Sequence, residues 1–252
     1  MIIVFGRLAH YTSCVFVSPN HEQTMKAMPH LEDDPVSQTR LNMVEGQLKP
    51  GGVRDYALTK MIGTISREAF VASDVRSVAY ADRELPAQVG DARRQLLSPL
   101  AFARLAELAD LSADDVVLDI AGGSGYSAAV IAGLVNTVIS LEDDEAFCEK
   151  AGAIWQEIGV DNAVAVQGPL AEGQGKQAPF NVIFINGCVA EVSRDLLGQL
   201  TDAGRLVCVQ EIDGAQKAII YSRIGDSFSR RIAFDISAPE LESFKPAPKF
   251  EF

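Results

Sequence analysis

A chain of 252 residues, 48% of them hydrophobic, can bury a substantial core and needs no second one, so a single α/β domain with a helical addition is expected. Its net charge of −12 argues against a nucleic-acid partner, because such binding draws most of its affinity from lysine and arginine. No apolar run is long enough to span a bilayer, and the first 17 residues, broken by Arg7 and His10, lack the continuous apolar core of an export signal. The four cysteines, Cys14, Cys148, Cys188 and Cys208, have no metal-ligand spacing and read as reduced thiols of a cytoplasmic protein.

Residues 1–39 read as a poorly structured tail. They hold all three histidines (His10, His21, His30), three prolines and the acidic run Glu32-Asp33-Asp34, with no sustained period. Met25 and Met28 are candidate natural starts, and the scattered histidines are not read as a metal site. From Arg40 onward there is no imidazole. That nearly excludes histidine acid–base chemistry, but it suits a reaction whose nucleophile, such as a carboxylate, is already ionised at neutral pH. Helices are expected over 40–48, 55–64 and 98–109, making residues 40–110 a helical N-terminal part of a domain that runs from 40 to 252.

The cofactor-binding core is expected over 111–236. An apolar strand reaches Asp119 and is followed by Ile120-Ala121-Gly122-Gly123-Ser124-Gly125-Tyr126. The glycines let backbone pass close under a ligand, and Ser124 is read as opening a helix whose free N–H groups face it. A second strand, 137–141, stops at Glu142, whose carboxylate can accept from both hydroxyls of a ribose. Gly123, Gly125 and Ala128 also satisfy a dinucleotide fingerprint, which leaves NAD formally open. That fingerprint usually opens a chain, and Asp119 would repel a pyrophosphate while suiting the cationic sulfonium and amino acid of S-adenosylmethionine, so a methyl donor is favoured.

Strands and helices then alternate. A helix over 144–158 carries Phe147, Ala151, Ile154, Trp155 and Ile158 on one stripe and is ended by Gly159. Strands follow at 163–167, 180–186 and 204–210, with a helix over 194–200, and an antiparallel pair over 218–223 and 230–236 turns at Gly225-Asp226. The pattern implies a doubly wound, mostly parallel sheet, followed by a C-terminal strap over 237–252.

Several segments in one order resemble the protein-L-isoaspartate O-methyltransferases. They are Arg40-Leu41-Asn42-Met43-Val44-Glu45-Gly46-Gln47-Leu48, Ser66-Arg67-Glu68-Ala69-Phe70-Val71, Ala79-Tyr80-Ala81-Asp82-Arg83-Glu84-Leu85-Pro86, the turn from Asp119 to Ala132, and Ala178-Pro179-Phe180. The resemblance implies a Rossmann-like methyltransferase with a seven-stranded sheet, S-adenosylmethionine as donor, and an isoaspartyl carboxylate of a damaged protein or peptide as acceptor. The ester formed would cyclise to succinimide in protein repair, and the protein would be a monomer or weak dimer without nucleic-acid or membrane partners. The donor-binding candidates are Asp119, Ala121, Gly122, Gly123, Gly125, Tyr126, Glu142, Asp143, Gly168, Pro169, Leu170 and Asn186.

The chain departs from the family pattern in three places. The family's Gly-Gln-Thr-Ile-Ser-Gln-Pro becomes Arg93-Arg94-Gln95-Leu96-Leu97-Ser98-Pro99, so Leu97 stands where serine is expected. Ser98 is the candidate catalytic hydroxyl if the loop shifts by one residue, and is otherwise a helix cap. Arg93 and Arg94, grouped with Leu97 and Ser98 as substrate-binding candidates, could hold a carboxylate bidentately or form a solvated surface. Gly-Asp-Gly becomes Gly168-Pro169-Leu170, which removes an acid for the adenine amino group. Around the fourth strand stand Asn181 and Gly187-Cys188, and Asn186-Gly187-Cys188 is not an amine-methylating Asn-Pro-Pro-aromatic site. Ala121 replaces a family glycine, a mild change if its φ is negative. Three readings stay open: an isoaspartyl carboxyl methyltransferase, a methyltransferase of the same descent with another acceptor, and a non-catalytic protein keeping the fold.

Overall fold

The computed structural model describes residues 35–245, so the tail histidines, Cys14 and the end of the expected strap lie outside the described residues. Helix α1 spans Pro35–Met43 and continues into a single π-helical turn, Val44–Leu48. The helical region therefore begins five residues before the boundary drawn at Arg40. Helix α2, Tyr56–Thr64, starts where the Asp55 carboxylate accepts the Leu58 N–H at 3.0 Å, and α3, Pro99–Ala109, starts at Ser98 in the same manner.

Between α2 and α3 the structure places a β-hairpin, where the sequence reading had only helical content. Strand β1 is Leu85–Val89 and β2 is Ala92–Leu96, with Val89 opposite Ala92. Gly90, at φ +57, opens the two-residue turn Gly90-Asp91, a conformation that costs glycine nothing. The strands were hidden because β2 exposes Arg93 and Gln95 and buries only Leu96 fully.

The main sheet has seven strands in the order β5-β4-β3-β6-β7-β8-β9. These are β3 Val116–Ile120, β4 Thr137–Glu142, β5 Ala163–Gln167, β6 Phe180–Cys188, β7 Leu200–Ile212, β8 Ala215–Ile224 and β9 Ser227–Asp235. Neighbouring strands pair parallel from β5 across to β7, and β8 and β9 add antiparallel. Strand β7 begins four residues earlier than expected, and the helix before it, α6 at Arg194–Leu197, is correspondingly short. A register break between Phe180↔Leu200 and Val182↔Arg205 lets those extra residues join the strand.

Helices α4, Tyr126–Ala132, and α5, Glu145–Ile158, complete the fold. Both faces of the central strands are buried, which is why they read as unbroken apolar runs. Val117, Val182 and Phe184 pack into the core that contains α2, α3, α4 and α5 residues, while Leu118, Ile120, Ile183 and Ile185 pack with Leu196, Leu241 and Phe244 on the other face. The chain winds outward from β3 to β5 and then restarts at β6 on the opposite side. The carboxyl ends of β3 and β6 therefore frame the crevice where ligands sit in such sheets.

Candidate active site

Asp119 and Asn186 meet at that crevice. Asn186 Nδ2 donates to Asp119 Oδ1 at 2.7 Å and to the Ile120 carbonyl at 3.0 Å, and Ser127 Oγ donates to Asp119 Oδ2 at 2.8 Å. Ser127 had escaped the sequence reading, since nothing in spacing marks a serine eight residues past the acid as its partner. Burial pushes the Asp119 carboxyl up to about 7, against the two hydrogen bonds that favour its charge, and the nearby Glu142 carboxylate adds to the rise. Gly122 packs on this carboxylate: a Cβ there would lie 2.6 Å from Asp119 Oδ2.

The turn after β3 runs through left-handed backbone at Ala121 (φ +62), Gly123 (φ +63) and Gly125 (φ +91). Ala121 therefore does not have the negative φ that would make its replacement of glycine mild, and its conformation costs about 1 kcal/mol. The helix opens at Tyr126, two residues later than expected, because Gly125 is left-handed and the Ser124 hydroxyl donates to the Phe70 carbonyl instead. Beneath the turn, Trp155 Nε1 donates to the Gly125 carbonyl at 3.0 Å.

Glu142 ends β4 beside this turn and is 2% exposed. One carboxylate oxygen accepts the Gly123 N–H, and the other accepts Arg94 Nη2 at 2.7 Å. Burial raises the Glu142 carboxyl above its ordinary value, opposed by Arg94 and by the Gly123 N–H. The same Arg94 nitrogen lies 2.6 Å from Asp143 Oδ1, so both carboxylates at the tip of β4 are held by the hairpin. Arg94, expected as a substrate contact, is thus engaged with the acids at the tip of β4, while Arg93 is exposed opposite Gln88.

Ser98 Oγ accepts the Ala101 N–H at 3.3 Å as the cap of α3, and Leu97 is buried. The cavity beneath the turn is lined by Leu96, Leu97, Phe102, Gly122 and Tyr126 among others, but not by Ser98. It also contains Arg67, a residue the sequence reading quoted only as part of a motif. Arg67 is 0% exposed, donates from Nη2 to the Leu97 carbonyl at 2.6 Å, and stacks 4.8 Å from the centre of the Tyr126 ring. Its Nε and Nη1 have no hydrogen-bond partner, nor has the Tyr126 hydroxyl, and burial lowers the Arg67 pKa. Composition does not flag such a residue, because burial of a lone arginine is decided by the elements packed around it.

The segment after β5 and the start of β6 have contacts of their own. Gly168 N–H donates to the Glu142 carbonyl at 2.8 Å, Pro169 leads into a short 3-10 turn, and Leu170 is buried. Asn181 Oδ1 accepts the Val116 N–H at 2.9 Å and so ties β6 to the start of β3. Among the described residues no cluster of ligating side chains could hold a metal ion, and no helix is long and apolar enough to cross a membrane.

Sheet order, the left-handed turn after β3 and the acid ending β4 define the Rossmann-like methyltransferase class. The family model for Protein-L-isoaspartate(D-aspartate) O-methyltransferase (PCMT) matches residues 19–236. A protein-L-isoaspartate O-methyltransferase of a Synechococcus species is 32% identical over 87% of this chain and 91% of its own. Another from Shewanella sediminis is 32% identical over 82% of this chain and 84% of its own. A solved structure of that name superposes with a TM-score of 0.71 at 26% identity, covering 80% of this chain and 65% of that one. A Plasmodium falciparum structure bound to S-adenosyl-L-homocysteine shares the fold, with a TM-score of 0.68 at 16% identity over 81% of this chain and 98% of that one. The chain belongs to the protein-L-isoaspartate O-methyltransferase family and is a methyltransferase.

Proposed function

We propose that the protein uses S-adenosyl-L-methionine to methylate a carboxylate, with an isoaspartyl side chain of a damaged protein or peptide as acceptor. The observation that carries this reading is Arg67: a fully buried guanidinium with two unpartnered nitrogens, in the cavity that adjoins the donor turn. A buried cation without a counter-ion is costly, and a planar carboxylate is its natural partner.

The donor-site residues suit an adenosyl sulfonium. We assign the ribose hydroxyls to Glu142, whose carboxylate Gly123 N–H and Arg94 hold in the structure; Asp119 lies at the switch point with its carboxylate steadied by Asn186 and Ser127, and the glycines leave backbone bare. S-Adenosylmethionine, when bound, supplies an electrophilic methyl carbon. The protein's part is then to bind and align the acceptor carboxylate through Arg67, with Leu96, Leu97 and Phe102 excluding water. No proton has to be removed from the nucleophile, in keeping with the lack of any histidine among the described residues.

A second reading, another carboxylate acceptor, is favoured by the buried Leu97 at the family's serine position. Radiolabelled methyl transfer to an isoaspartyl peptide, beside the matching aspartyl peptide, separates the two. Base-labile label on the first peptide alone is expected. No label at stoichiometric enzyme rejects the isoaspartyl acceptor. We place the protein in the cytoplasm, as a monomer or weak dimer without a nucleic-acid partner. The free thiols Cys148, Cys188 and Cys208 support the compartment, which cell fractionation tests.

A further inference from the structure

Arg94 sits on the carboxylate that the donor's ribose would use. Its pair with Glu142 joins side chains only 14% and 2% exposed, so little water screens it. Asp143 holds the same guanidinium nitrogen from the other side. The hairpin also covers the turn physically: Arg94 Cβ and Cγ lie 3.2 Å, and Leu96 Cδ2 3.3 Å, from where a Cβ on Gly123 would stand. A donor whose ribose takes the Glu142 carboxylate has therefore to displace the Arg94 side chain.

The base of the hairpin is fixed, with Leu85 and Ala87 buried and the Pro86 carbonyl accepting the Ala72 N–H at 2.7 Å. Its outer end, with Gly90, Asp91 and Arg93 exposed, is tied to the tip of β4 by the charge of Arg94.

We propose that Arg94 sets donor affinity by serving as an internal ligand of Glu142, which the donor's ribose must displace, so that donor binding and release of the β1–β2 hairpin are one coupled event. The proposal rests on the donor reading above. A closed form favoured about tenfold over the open one weakens the apparent affinity about tenfold, and removing Arg94 restores that factor.

Calorimetric titration of the full chain with S-adenosylhomocysteine, for the wild type, Arg94→Ala and Arg94→Gln, tests it. Quenching of Trp155, the single tryptophan, gives a second signal, because its indole nitrogen bonds the donor turn. Both variants are expected to bind about tenfold more tightly than the wild type. The neutral Arg94→Gln keeps the test open should the alanine variant fold poorly, as judged by circular dichroism. Equal affinities overturn the proposal and leave the donor reading intact; no binding by any of the three proteins at millimolar ligand overturns both.

Discussion

The donor turn and the β1–β2 hairpin face each other across Glu142, yet they respond differently to sequence change. In the turn, almost every position is dictated by a backbone or buried contact: Gly122 by the Asp119 carboxylate, Gly125 by Trp155, and Ser124 by the Phe70 carbonyl. In the hairpin, the alternation of β2 leaves Arg93 and Gln95 outside and buries Leu96, so side chains can be exchanged without moving the backbone. The family pattern survives at Gly122, Gly123 and Gly125 and gives way at Ala121 in the same turn, where φ +62 costs about 1 kcal/mol, and at Leu97 beyond the hairpin. A methyltransferase can thus keep its fold while the side chains facing the turn change.

The strongest way to break the contrast is at Gly125. A Cβ there would stand 2.6 Å from Trp155 Cζ2, at φ +91. Gly125→Ala is expected to cost about 3 kcal/mol of stability in chemical denaturation, from crowding and strain together. A loss within experimental error would show that the turn can shift after all.

On the hairpin side, Leu97→Ser restores the family's hydroxyl at the price of buried apolar contact. Denaturation should register a loss of about 2 kcal/mol, while methyl transfer to an isoaspartyl peptide rises. If transfer falls along with stability, Leu97 does not stand on the acceptor wall.

Asp119 gives a pH signature. With its folded pKa near 7 and its unfolded value near 3.8, the folded form holds a proton that the unfolded chain has lost between those values. Stability should therefore fall as pH rises from about 4 to 7, by at most about 1.4 kcal/mol per pH unit, and level off above. Thermal unfolding of Asp119→Asn across that range should lack this slope. A slope identical to the wild type would assign it to other groups. The smallest effect belongs to Arg93→Ala, which should leave stability within about 0.5 kcal/mol and affinity for S-adenosylhomocysteine unchanged, unlike its neighbour Arg94.

Much of this molecule was legible in the chain. The order of strands and helices from Val116 onward, the cap at Ser98, and the placing of Glu142 beside the glycine turn follow from period, capping chemistry and spacing. The hairpin was not read, because its strands are short and its polar side chains mask the alternation. The sign of φ at Ala121 stayed open, because local sequence names a residue without fixing which side of the Ramachandran map the turn requires.

Residue type and order were sufficient for the class of fold, the acid at the end of β4 and the family. Tertiary packing alone decided that Arg94 reaches 48 residues along the chain to Glu142, that Ser127 and Asn186 hold Asp119, and that Arg67 is buried without a counter-ion. The physical reason is range. Hydrophobic period and capping act within a few turns of chain, whereas burial and the pairing of charges depend on which distant elements the finished sheet brings together.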